Sequence, residues 1–237
     1  MRSNILLKLT LVYLFCFLFL SCYDNKSKSK SDTTQKEKMD IMSEQSKSLG
    51  KKLLQKGYSL LFRDVGHKKN LDLIWDEAGQ RTFEQLVDDT EAPLMARFLA
   101  SEVLLKKDLT YLSRSDLSKL TQIYKEALLK DFTGKASDWG FFRGNNDVGS
   151  VGGMFVIFGE IAIPELIKLL DNDTEVSYSD EVDVDVVMGK NYIRRVRIKD
   201  FAALYISKIR NIPFNFDPIL EERDKEISRL RSFIINR

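Results

Sequence analysis

The chain has 237 residues, with 37 Lys and Arg against 35 Asp and Glu, which gives a formal net charge of +2. Arg2 and Lys8 are the only charged side chains before residue 22, so the charges of the remaining chain sum to zero and no global field favours nucleic acid. The 15 Phe and eight Tyr predict a packed globular body and exclude a largely disordered chain.

The first 22 residues have the pattern of a secretory signal peptide. The basic start precedes an apolar run over Leu9–Leu20, and the run ends at Ser21 and Cys22. An uncleaved membrane anchor is one alternative, but spanning a bilayer takes about 20 apolar residues and this run is shorter. A secreted protein that is cut at another small residue is the other alternative.

The stretch Phe19-Leu-Ser-Cys22 resembles the lipobox of bacterial lipoproteins, although Phe19 stands where that family usually has Leu. The resemblance implies a signal peptide over residues 1–21, cleavage just before Cys22, and a lipid such as palmitate on that cysteine. It also implies a location in the bacterial cell envelope, with the protein anchored to the inner or the outer membrane.

The segment after the cleavage site is predicted to be a tether. Lys and Ser alternate from Asn25 to Ser31, so residues 22–43 have nothing to bury and are expected to be disordered. Cys16, the only other cysteine, lies in the apolar run and would leave with the signal peptide. The mature chain would then have neither a free thiol nor a disulfide, and its stability has to come from an ordinary core.

Helical periodicity begins near Glu44, and we predict one helical domain over residues 44–237. Thr90 is the predicted N-cap of a helix with Pro93 in its first turn. In that helix a stripe of apolar side chains follows the i, i+3, i+4, i+7 spacing of an amphipathic helix: Ala96, Leu99, Ala100 and Val103. Ser115 or Asp116 is the predicted cap of the next helix.

Two stretches resemble HEAT-type helical repeats. One covers Leu86–Leu104, and the other covers Gly159–Asp171 and resumes at Arg197–Ile209 after an insertion. Each has a helix that ends in Leu or Val before Asp, followed by an Ala-rich helix, and the resemblance implies stacked helix pairs. The predicted fold class is mainly α, an irregular HEAT-like domain with a small β-hairpin insertion, and a generic helical bundle is the alternative.

The insertion contains the predicted hairpin. Glu181-Val-Asp-Val-Asp-Val186 alternates strictly, which indicates a strand, and Gly189-Lys-Asn191 is the predicted turn. The alternation places the side chains of Glu181, Asp183 and Asp185 on one face. We expect these carboxylates to pair with basic residues across the hairpin, namely Arg194, Arg195 and Arg197. A calcium site is the alternative interpretation.

Residues 133–153 combine six glycines with three aromatic side chains and form the most unusual local sequence. We take Trp139, Phe141, Phe142 and Asn145 as candidate binding residues, because glycines and aromatics together often shape a pocket. The alternative is a tight loop that only packs Trp139. Backbone N–H groups there suit an anion, but the Lys-Ser/Thr of a phosphate loop is missing.

No catalytic residue, metal site or cofactor is predicted. His67 is the only histidine, and it lies in a polar break with no second ligand at metal-site spacing. Ser150, in Gly149-Ser-Val-Gly152, lacks the spacing of a nucleophile motif.

The expected function is non-catalytic binding of a protein or ligand at the membrane, with the lipid anchor and an unknown envelope protein as partners. One alternative is an envelope enzyme with carboxylate chemistry around Asp138, Asp147 and the acidic hairpin. The other is a purely structural envelope component.

Overall fold

The computed structural model describes residues 44–130, 142–143, 147–176, 184–187, 190–193 and 195–235. Packing groups Leu49–Arg237 into one compact unit. Helices dominate this unit and short antiparallel strands supply the remaining regular structure, so the prediction of a mainly α fold with a small β-hairpin is confirmed.

Each element is numbered in chain order. The described helices are α1 (44–62), α2 (His67–Ala78), α3 (Gln80–Asp88), α4 (Leu94–Lys107), α5 (Tyr111–Arg114), α6 (Leu117–Lys130), α7 (Gly152–Phe158), α8 (Ile163–Ile167), α9 (Ile198–Arg210) and α10 (Leu220–Ile235). The described strands are β1 (Phe142–Arg143), β2 (Asp147–Val148), β3 (Glu175–Val176), β4 (Val184–Val187), β5 (Lys190–Ile193) and β6 (Val196–Arg197). Among the described residues, no helix has the length and apolar composition that crossing a membrane requires.

Helix α4 lies in the middle of the first half of the fold, packed against α3 and α6. The predicted stripe Ala96, Leu99, Ala100 and Val103 is fully buried, as expected. Burial extends around the rest of the helix as well, because residues 98–104 are all buried. Because this stretch of the helix is covered on all sides, any polar residue in it loses its contact with water.

Aromatic rings connect this first half to the second. The ring of Tyr124 on α6 lies edge-on to Phe98 at 5.1 Å and to Phe158 on α7 at 5.3 Å. Phe155 on α7 then stacks on Tyr205 of α9 at 4.9 Å. Edge-to-face and offset contacts at these distances stabilise beyond the buried area alone, and they place α6 and α7 between α4 and α9.

One helix start differs from the prediction. Helix α4 begins at Leu94 with Pro93 as its N-cap, so Thr90 does not cap it. Asp89 is responsible, because its Oδ1 accepts a hydrogen bond from the N–H of Glu91 at 3.0 Å and turns the chain before the helix. The expectation for α6 is confirmed, since Oδ1 of Asp116 accepts from the N–H groups of the first turn.

The predicted insertion contains a hairpin in which β4 and β5 pair antiparallel, with Val187 opposite Lys190. Lys190 and Asn191, which were predicted in the turn, therefore lie in β5. A second antiparallel pair closes the base of the insertion, where β3 pairs with β6 and Glu175 lies opposite Arg197.

The structure gives Arg195 and Arg197 partners other than the acidic face of the hairpin that the sequence predicted for them. Arg195 forms an ion pair with Glu175 of β3. The side chain of Arg197 points into the body of the protein instead. The reason is that β6 pairs with β3 and not with the hairpin strands. Glu181, Asp183 and Arg194 lie outside the described residues, and the side chain of Asp185 is not described, so the predicted pairing with the acidic face stays a prediction.

Arg197 belongs to a buried ionic network around Asp200, which is fully buried near the start of α9. The carboxylate of Asp200 accepts hydrogen bonds from the backbone N–H of Arg197 at 2.8 Å and from its Nη2 at 2.9 Å. Nη1 of the fully buried Arg223 on α10 lies 2.7 Å from the same carboxylate and 2.8 Å from the carbonyl oxygen of Arg195. We call these three side chains, Arg197, Asp200 and Arg223, the core ionic network; they join β6, α9 and α10.

Candidate functional site

An open cleft of about 360 Å³ lies between α3, α5 and α6. Glu84 and Asp88 come from one face of α3, since residues four apart on a helix are neighbours. Tyr111 and Arg114 come from α5, and Lys119 comes from the start of α6. Five polar or charged side chains from three helices thus converge on one concave surface.

Local hydrogen bonds hold α5 and the start of α6 in place. Oδ1 of Asp108 accepts from the N–H of Thr110 at 2.9 Å and from its hydroxyl at 2.8 Å, which fixes the turn before α5. Oδ1 of Asp116 accepts from the N–H groups of Ser118 and Lys119 at 2.9 and 3.2 Å and fixes the start of α6. The cleft lies where this short connection, with the single turn of α5, joins α4 to α6.

Ion pairs cross the cleft. Nη2 of Arg114 contacts the carboxylates of Glu84 and Asp108, and its Nη1 donates to the hydroxyl of Thr110 at 2.9 Å. Nζ of Lys119 lies 2.5 Å from Oδ1 of Asp88. Both cations that line the cleft are therefore paired with carboxylates of α3.

The contacts of Arg114 hold this residue and its two carboxylate partners in the charged state. Hydrogen bonds from Arg114 and Thr110 lower the pKa of Asp108 to about 2. Burial acts to raise the pKa of Glu84, but hydrogen bonds from Arg114 and Gln80 outweigh it and the pKa lies below its usual value. Hydrogen bonds to Asp108 and Glu84 in turn raise the pKa of Arg114. These three groups keep their charges through the neutral pH range.

Tyr111 closes the bottom of the cleft. Its exposed fraction is 6%, and the guanidinium carbon of Arg114 lies 5.4 Å from the centre of its ring. Burial raises the pKa of its hydroxyl, and the charges of Asp88 and Glu84 raise it further. Within the part of the chain that the structure describes, no group forms a hydrogen bond with this hydroxyl.

A second polar group lies in the core. The carboxyl of Glu102 on α4 is 5% exposed and accepts a hydrogen bond from the hydroxyl of Tyr124. Burial raises the pKa of Tyr58 on α1, and the charge of the nearby Glu102 raises the pKa of Tyr58 further. The hydroxyl of Tyr58 also has a hydrogen bond with Ser150, which lies just before α7 at the end of the glycine-rich segment.

Glu102 differs from the cleft carboxylates in its ionisation. Burial raises its pKa to about 7, although the hydrogen bond from Tyr124 and the charge of Lys106 both lower it. The surrounding wall is aromatic, because Phe98 and Phe158 both pack on the ring of Tyr124. A group with this pKa suits general acid–base chemistry, which also requires contact with a substrate proton.

General acid–base catalysis requires access for a substrate and a pKa near neutrality, and these two properties occur at different places among the described residues. The open cleft carries Glu84, whose pKa lies below its usual value, whereas Glu102, the carboxyl with a pKa near neutrality, is enclosed in the core. His67 is the first residue of α2, and its Nδ1 lies 3.0 Å from the carbonyl oxygen of Asp64. In the described ranges no group of three His, Cys, Asp or Glu side chains is arranged to hold a metal ion.

Most of the predicted site residues are not covered by the structure. Cys22, Trp139, Phe141 and Asn145 lie outside the described residues, as does Asp138. The backbone of Phe142 forms part of β1, where it lies opposite Val148 of β2. Asp147 lies opposite Arg143 in the same pair of strands. The candidate binding role of the Gly/aromatic segment stays a prediction.

Sequence reasoning missed the cleft, since each of its charged side chains is typical of a solvated helix face. One signal was available: the sequence Asp108-Leu-Thr-Tyr111 places a turn-forming Asp and a buried aromatic residue between two helices that both carry charge.

Comparisons with known protein families, with curated proteins and with solved structures give no match for this chain.

Proposed function

We propose that this protein is a lipid-anchored binding protein of the bacterial cell envelope. Cys22 carries the lipid, residues 23–43 form the tether, and the helical domain binds a partner without chemical turnover. A flexible tether of this length has a root-mean-square reach of about 25 Å. The domain would therefore work close to the membrane surface and stay free to change its orientation relative to it.

One observation carries the binding role: an open cleft in which Arg114, Glu84 and Asp108 hold one another in their charged states. Fixed charges on a concave surface suit recognition, because they orient a partner without changing protonation. The enzyme alternative needs an accessible group that titrates near neutral pH, and Glu102, which has that pKa, is enclosed. Asp138 and Asp147, the carboxylates of the enzyme alternative, remain as candidates to be tested.

The anchor is tested by replacing Cys22. Cells that express Cys22→Ala and are fed a labelled fatty acid should yield an unlabelled protein, because the thiol that accepts the acyl chain is gone. Cys16→Ala is the matched control, since this cysteine would leave with the signal peptide, and its product should be labelled like the wild type. Label on the Cys22→Ala protein would contradict the lipoprotein assignment.

The binding role of the Gly/aromatic segment is tested with the two tryptophans of the chain. Trp139→Ala should lose capture of envelope proteins in a cross-linking experiment and keep its melting temperature, because aromatic side chains dominate binding hot spots. Trp75→Ala is the control for structural loss. Its ring stacks on the buried Phe83 at 5.4 Å, so this change should lower the melting temperature.

Two outcomes would contradict the proposal. A fall in melting temperature in Trp139→Ala as large as in Trp75→Ala would make the segment structural. A turnover-dependent phenotype that disappears in Asp147→Asn while capture survives would favour the enzyme alternative. The binding role predicts that Asp147→Asn leaves capture unchanged.

A further inference from the structure

We propose that the cleft between α3, α5 and α6 binds a cationic group, a lysine-type ammonium, on the partner. The inference rests on the binding function proposed above and assigns a ligand chemistry to it. Three acceptors line the cleft for this purpose: the carboxylates of Glu84 and Asp88 and the hydroxyl of Tyr111.

Open acceptor atoms are the first step of the argument. Each carboxylate of α3 uses one oxygen for its ion pair, Oε1 in Glu84 and Oδ1 in Asp88. No described residue donates a hydrogen bond to the other oxygen of either carboxylate. The side chain of Asp88 is 65% exposed and that of Glu84 is 33% exposed, so a ligand can reach both.

The hydroxyl of Tyr111 is the second, independent step. This residue is more than nine-tenths buried, lines the cleft and has no hydrogen-bond partner among the residues described. The rest of this side chain is enclosed, so the hydroxyl is held in place as an acceptor before a ligand arrives. Two carboxylate oxygens and one hydroxyl oxygen match the three N–H donors of an ammonium group.

Charge selects the sign of the ligand. Three carboxylates line the cleft against two cations, and Asp108 adds a fourth carboxylate behind Arg114. An anion would bind to a guanidinium or to the free N–H groups at the start of a helix, and both already have partners. Arg114 contacts Glu84 and Asp108, and Asp116 accepts from the first N–H groups of α6. An anion would have to displace these partners, whereas a cation adds to them.

Size agrees with a side chain or another small group. Ligand pockets range over roughly 300–1,000 Å³, and about 360 Å³ lies at the lower end of that range.

The test uses two blocked pentapeptides, Gly-Gly-Lys-Gly-Gly and Gly-Gly-Glu-Gly-Gly, with the full chain in a non-ionic detergent. Binding is followed by line broadening of the peptide signals in an NMR titration. The lysine peptide should bind and the glutamate peptide should not. Asp88→Asn should weaken binding of the lysine peptide about tenfold, and Tyr111→Phe about fivefold, which are typical losses for a hydrogen bond to a charged group and for one neutral donor or acceptor.

Asp72→Asn is the matched control. Asp72 is an exposed helical aspartate that forms an ion pair with Lys107, as Asp88 does with Lys119, but it lies outside the cleft. This change should leave binding of the lysine peptide within about twofold of the wild type, because a lone surface charge contributes little.

Three outcomes overturn the inference. Preferential binding of the glutamate peptide would leave a binding cleft but give it the opposite ligand. Equal losses in Asp72→Asn and Asp88→Asn would place the ammonium on the general surface. Absence of binding by both peptides would remove the cleft as a site for single charged groups. None of these results bears on acylation of Cys22 or on capture by Trp139, so failure here is distinct from failure of the proposed function.

Discussion

Replacing Asp200 with Asn is expected to lower the free energy of unfolding by about 3–5 kcal/mol, because it leaves the fully buried guanidinium of Arg223 without its carboxylate partner. Asp200 and Arg223 are both fully buried, and Arg197 is 6% exposed. Asn has the same shape as Asp, so the loss reports on charge and hydrogen bonding and not on a cavity. Urea unfolding at neutral pH, followed by circular dichroism, measures it.

The control for this experiment is Asp173→Asn. The side chain of Asp173 is 68% exposed, and its Oδ1 lies 3.4 Å from Nη1 of Arg197 and 2.6 Å from Nζ of Lys199. An exposed ion pair contributes about 0–1 kcal/mol, so this change should have a small effect. Equal effects of Asp173→Asn and Asp200→Asn would contradict the interpretation of the core ionic network as buried.

A double substitution separates pairing from packing. Asp200→Leu with Arg223→Met should destabilise by less than the sum of the two single changes, because Asp200→Leu alone leaves the charge of Arg223 buried without its carboxylate and the double change removes both charges of that pair. Additive losses would mean that the two residues act independently. That result would conflict with the 2.7 Å contact between Nη1 of Arg223 and the carboxylate of Asp200.

Helix periodicity predicted the fold class and the buried stripe of α4, since both depend on residues a few positions apart. The same reasoning failed for Arg197, where the local alternation favoured a partner across the hairpin. Its actual partners include Asp224, 27 positions further along the chain on α10, and Asp200 also binds Arg223 of that helix. Contacts at that separation depend on how helices pack, which a local pattern does not contain.

The cleft was missed for a related reason. Its concave shape depends on α5, a helix of one turn that is too short to produce a periodic pattern. The HEAT-like resemblance stays a prediction. The structure places α3 against α4 and α8 against α9, as helix pairs require, but packing of neighbouring helices is common to many α-helical folds.

Glu102→Gln is expected to remove a pH dependence of stability that the wild type has. The pKa of Glu102 is about 7 in the folded state, whereas the ordinary pKa of a solvated Glu side chain, which applies to the unfolded state, is 4.5. Between these values the unfolded state has lost the proton and the folded state keeps it, so the unfolded state binds fewer protons and stability falls as the pH rises. The total loss is about 3 kcal/mol, and it is complete above the folded pKa.

The charged and titratable neighbours of Glu102 come from three helices, and none of them reverses the upward shift of its pKa. Burial is the largest cause of the raised pKa, while Tyr124 on α6 and Lys106 on α4 lower it. Tyr58 on α1 has a raised pKa itself and stays neutral across this range. Among these groups, Glu102 is therefore the one whose protonation changes over this pH range.

The free energy of unfolding is measured for the wild type and for Glu102→Gln at about pH 5 and about pH 8. The difference between the two pH dependences is the contribution of this carboxyl. Gln keeps an oxygen that accepts from Tyr124, so any constant loss from its NH₂ group cancels in the comparison. Glu165→Gln is the control, and it should leave the difference in stability between these two pH values nearly as in the wild type. Hydrogen bonds from Lys125 and Lys168 lower the pKa of Glu165, so its stabilising effect is present above the usual pKa and is lost as the pH falls. Identical pH dependences of the wild type and Glu102→Gln would mean that Glu102 is already ionised in the folded protein and that the core around Tyr124 accommodates its charge.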